Sequence, residues 1–94
     1  MFKVVSEEEY NRFKNLSIIK KGSHWYYDEN TAMQYFRKSG KYYVLKVDEN
    51  NLQYIFVNLL GESDFKTTKG IEYNKEIPFN IVTVVNSGIK QTRR

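Results

Sequence analysis

Apolar residues along the chain keep two different spacings, and each predicts its own kind of element. Within "VVSEEEYNRFKNL", Tyr10, Phe13 and Leu16 recur every three residues, which draws one narrow apolar stripe along a short helix. Its start is marked twice. Ser6 followed by Glu9 has the form of a capping box, and Glu7, Glu8 and Glu9 fill the first turn, where the positive end of the helix dipole favours acids. Val5 before the cap and Tyr10 inside the helix are placed to form a hydrophobic staple. The expected helix is about ten residues long and lies against a sheet.

Beyond it the pattern shortens to strands. "KYYVLKVD", "LQYIFVNLL" and "FNIVTVVN" are runs of β-branched and aromatic residues of suitable length, and "DENN" reads as a tight loop joining the first two. In the second run Leu52, Tyr54, Phe56 and Leu60 share one face, while Ile55, Val57 and Leu59 share the other. Apolar residues on both faces predict a central strand. Pro78 stands just ahead of the third run, where its missing N–H costs nothing. The polar stretch from Gly61 to Glu76 is irregular, with a short edge strand expected over Phe65–Lys69.

"DENTAMQYFRKSGKYY" supports two readings. Thr31 as cap, Arg37 and Lys38 in a last turn and Gly40 as stop make a helix over Thr31–Ser39. Alternatively, Ser39–Gly40 is a hairpin turn between two strands, the reading preferred here because it spaces turns every 8–12 residues. The fold expected is therefore mainly β, bordering on α+β: a bent antiparallel sheet or small open barrel of about five strands with one N-terminal helix. The runner-up is an α+β sandwich with the second helix. At 94 residues the chain makes one domain, 1–94, with 90–94 as a flexible basic tail.

Composition changes the picture in two places. Aromatics make up 16% of the chain, eight of them tyrosine, so large rings close a core that is otherwise small. Cysteine is absent, which removes disulfides, thiolate nucleophiles and zinc ribbons from consideration. The start lacks the apolar run of a secretory signal, and no stretch approaches the roughly 20 apolar residues of a membrane span; a cytoplasmic protein is expected.

The net charge of +4 is distributed unevenly. Residues 1–16 balance, 17–47 carry six cations against two acids, 48–89 carry three against six, and the last five residues, "KQTRR", are basic. Asymmetry of this kind concerns partners more than fold.

Catalytic signatures are missing. His24 is the only histidine; Ser23 beside it points to the opposite face of any strand, so a hydrolytic triad does not assemble. One histidine and no cysteine do not make a zinc site, the acids do not form a calcium loop, and the five glycines form no phosphate cradle. No enzyme, no metal and no cofactor are expected.

The block 17–47 is different. It holds Trp25, Tyr26, Tyr27, Tyr35, Phe36, Tyr42 and Tyr43, with cations interleaved, the combination used to hold single-stranded nucleic acid: charges follow phosphates and rings stack on bases. In this reading Trp25, Tyr27 and Tyr35 stack, and Lys20, Lys21, Arg37, Lys38 and Lys41 meet phosphates. The expected function is a non-catalytic nucleic-acid-binding module. The alternative is a protein-interaction domain, an inhibitor or accessory subunit, since Tyr, Trp and Arg also dominate protein interfaces. Placing some of these rings in the core accounts for the same residues without any ligand, since neighbouring residues on a strand, such as Tyr26 and Tyr27, face opposite ways.

Overall fold

The computed structural model describes residues 1–48, 70–73 and 75–91. The chain opens with β1 (Phe2–Ser6), which runs directly into α1 (Glu7–Leu16). Ser6 is both the last residue of the strand and the cap of the helix, its Oγ accepting the Glu9 N–H at 3.2 Å. The Glu9 carboxylate lies 3.5 Å from the Ser6 hydroxyl and the same distance from the Lys38 ammonium. Ser17, at φ 61°, ends the helix in the left-handed conformation.

Then come β2 (Ile18–Ile19), β3 (Ser23–Tyr26), α2 (Glu29–Gln34), β4 (Gly40–Lys46), β5 (Gly70–Tyr73), β6 (Ile77–Pro78), a 3-10 turn at Phe79–Ile81, and β7 (Thr83–Lys90). Five strands form one antiparallel sheet in the order β5-β3-β1-β4-β7, while β2 and β6 pair separately. The sheet is open, so the bent-sheet form of the expected mainly-β fold is the one adopted. No helix among the described residues is long and apolar enough to cross a membrane.

The core lies on one face of the sheet. Met1, Val5, Trp25, Leu45, Val47 and Tyr73 pack there with Ile19 and Ile77 of the β2–β6 pair, and Tyr10 and Phe13 of α1 close over them. Leu16, third in the helix stripe, stays exposed. Tyr10 stacks on Tyr43 of β4 with ring centroids 4.2 Å apart. On the opposite face α2 contacts β1 and β3; Ala32 and Phe36 are buried, as is Val44. The domain is thus helix, sheet, helix in layers.

Three expectations need correction. The segment expected as a hairpin arm is α2. Asp28 caps it by accepting the Thr31 N–H at 3.0 Å, and Ala32 and Phe36, four residues apart, present one apolar face. Gly40, at φ +99°, does not turn a hairpin but opens β4 after an irregular 36–39. Phe79–Ile81, read as the start of a strand, form a 3-10 turn, so β7 begins later at Thr83. It also runs further than expected: Lys90, assigned to the tail, ends the strand, and its ammonium is hydrogen-bonded to the Phe36 carbonyl. The β1 strand has no counterpart in the sequence reading. The strand expected over 52–60, most of its "DENN" loop and the edge strand at 65–69 lie outside the described residues.

Candidate functional site

β1 and β4 pair along five residues, from Phe2↔Lys46 to Ser6↔Tyr42. β1 and β3 share a single pair, Phe2↔Tyr26, and then part. The parting of these strands opens a cleft of about 510 Å³, which α2 and the segment after it wall on one side. Its lining includes Lys3 from β1, His24 and Tyr26 from β3, Tyr35 at the end of α2, and Arg37 and Lys38 beyond. The volume falls within the roughly 300–1,000 Å³ range of small-ligand pockets.

Tyr26 and Tyr35 stack, centroids 4.8 Å apart and planes 7° from parallel. Tyr35 remains 45% exposed. Burial, with Tyr35 adding to it, pushes the Tyr26 phenol above its usual pKa, so this ring stays neutral. Lys3 reaches into the gap between the strands, its Nζ 3.4 Å from the His24 carbonyl oxygen. Burial lowers its pKa, and the Glu9 carboxylate partly offsets that effect. His24 faces Glu72 of β5, Nε2 to Oε2 3.9 Å. Arg37 is exposed and has no ion pair among the described residues.

Lys3 and Glu9 also line a second, smaller depression of about 250 Å³, walled by α1 and the turn after β2. Lys20 and Lys21 stand there. The two hollows therefore meet at Lys3 and Glu9.

The residues expected to form one platform are distributed as follows. Tyr35, Arg37 and Lys38 come together in the larger cleft, and Lys20 and Lys21 in the smaller one. Tyr27 is exposed but is not among the residues lining either hollow. Lys41 lies toward α1, 3.6 Å from Glu7 and 5.3 Å above the Tyr43 ring. Trp25 is not a stacking residue: it is wholly buried, and its Nε1 donates to Ser23 Oγ at 2.8 Å. Strand alternation is the reason. Ser23 and Trp25 face the core, so His24 and Tyr26 face the cleft.

His24, Tyr26 and Lys3 are the members that the sequence reading left out. The first two follow from alternation once Trp25 is assigned to the core. Lys3 follows only from β1, a strand with no clear signal of its own. Ser23, held by the indole on the far face from His24, does not serve it as a nucleophile. Among the described residues no group of three or more His, Asp or Glu side chains is placed to hold a metal ion. Comparison with known proteins gives no match: no family model, no curated protein and no solved structure is significantly similar to this chain.

Proposed function

We propose that this chain is a small non-catalytic module that binds single-stranded nucleic acid in the cleft between β1, β3 and α2. The observation that carries the reading is the Tyr26–Tyr35 stack, whose outer ring is half exposed beside the exposed guanidinium of Arg37, which has no ion pair among the described residues. A base stacks on Tyr35, with Tyr26 holding the ring rigid behind it, and Arg37 takes a phosphate next to that base. Lys38 joins by exchanging its exposed contact to Glu9, an ion pair of the kind worth about 0–1 kcal/mol. A longer strand continues past Lys3 toward Lys20 and Lys21, which accounts for the basic bias of residues 17–47. The same reading puts the domain in the cytoplasm, where single strands are met.

The test is the anisotropy of a fluorescent oligonucleotide titrated with the protein across a salt series. Binding should weaken steeply with salt, and Arg37→Ala should lower the slope of log K against log salt by roughly one. Affinity that does not change with salt, or a slope unaltered in Arg37→Ala, overturns the proposal.

A further inference from the structure

We propose that two copies of this chain join through β7, edge to edge and antiparallel, into one continuous sheet with a two-fold axis at Ser87. β7 is the outermost described strand on its side of the sheet and runs for eight residues. Thr83 to Ser87 are all exposed, the apolar Val84 and Val85 among them, and Ile89 is 75% exposed. From Thr83 to Ile89 the strand carries no charge and no proline, the usual means of keeping an edge apart from other chains. The ladder to β4 slips at Val85, the extra residue between the pairs Leu45↔Val84 and Val44↔Asn86, and is regular from Asn86 to Lys90.

The occupant is a second copy for two reasons. The first is charge. β7 is positive at one end only, where Lys90 leads into "QTRR". Antiparallel self-pairing sets Lys90 of each copy across from Val84 of the other and keeps the two basic ends apart; parallel pairing would bring them together. The second is register. An axis at Ser87 places Val85 of each copy opposite Ile89 of the other, so the two most exposed apolar side chains of β7 cover one another twice by symmetry. The Ser87 N–H now donates to Oδ1 of Asn86 at 2.8 Å. In the dimer it turns to the Ser87 carbonyl of the other copy, and the reverse bond forms with it.

Light scattering coupled to size exclusion, run on the full chain from low micromolar to millimolar concentration, tests this. The expected result is a mass rising with concentration from 11.2 kDa to twice that value and stopping there. Ser87→Pro removes the donor at a position where an edge strand accepts proline, and Ile89→Lys puts a charge against Val85; each should hold the protein at the monomer mass. Circular dichroism checks that both variants fold, and if Ser87→Pro does not, Ile89→Lys decides alone, since its side chain is mostly in solvent. A wild type that stays at 11.2 kDa overturns the proposal, as does a dimer that survives in the folded variants. Masses that climb without limit overturn it in favour of head-to-tail addition.

Discussion

The rings of Tyr26 and Tyr35 lie face to face, 4.8 Å apart and within 7° of parallel, and so tie the end of β3 to the end of α2. One tyrosine comes from a strand and the other from a helix cap, and the cleft takes its shape from their contact. The inner ring fixes the outer one without covering it. A stacking platform needs that combination: a rigid ring that stays half exposed.

Tyr35→Ala should therefore weaken oligonucleotide binding by about 1–3 kcal/mol, and Tyr35→Phe should restore most of it, because stacking uses the ring and not the hydroxyl. Anisotropy titrations at one salt concentration read both values. Equal affinity in wild type and Tyr35→Ala, with the fold intact, removes Tyr35 from the interface.

Glu9 stands at the junction of the two hollows and holds Lys38 at 3.5 Å. Its negative charge opposes a phosphate chain crossing there. Glu9→Gln should tighten binding by about 1 kcal/mol, roughly five-fold, by removing the repulsion and freeing Lys38. The Ser6 cap stays in place, because the bond to the Glu9 N–H belongs to the backbone. A variant that binds more weakly would show that Glu9 orders Lys38 for the ligand and does not compete with it.

Trp25 should act on stability. Trp25→Ala is expected to cost about 3–5 kcal/mol in urea unfolding, the range for deleting a buried aromatic ring. Ser23→Ala leaves the indole N–H buried without an acceptor and should cost about 1–3 kcal/mol. Where Ser23→Ala is fully folded, its affinity for an oligonucleotide short enough to occupy the larger cleft alone should equal that of wild type, since Ser23 lines only the smaller hollow.

Lys3 makes the folded state sensitive to alkaline pH. Its pKa in the fold is below the ordinary 10.5, chiefly through burial. Between the folded and unfolded values the unfolded chain binds more protons, so this group's cost is full at neutral pH and fades as pH rises toward 10.5. Lys3→Met should raise the melting temperature at pH 7, and its advantage over wild type should shrink as pH climbs toward 10.5. An advantage that is constant with pH would assign the gain to packing alone.

Much of the fold was legible because its signals are carried by residues close together in the chain. Ser6 and Glu9 announced α1 within a few positions of one another, and the β-branched run after Gly40 announced β4. The choice between helix and hairpin over 31–39 was finer. Asp28, the first residue of "DENTAMQYFRKSGKYY", is the cap in place of Thr31, and with the burial of Ala32 and Phe36 against the sheet it decided the matter. β1 carried too little local pattern to be seen, because Lys3 interrupts its apolar residues.

By itself the sequence determined a mainly β domain with a capped helix at Glu7–Leu16 and a concentration of rings and cations between residues 17 and 47. It did not determine which of those rings meet solvent. That depends on long-range pairing: the order β5-β3-β1-β4-β7 turns Trp25 into the core, and the single bond pair between β1 and β3 opens the gap that gathers Lys3, Tyr26, Tyr35 and Arg37. Contacts between residues more than twenty positions apart are set by how whole elements pack, and no local window contains them.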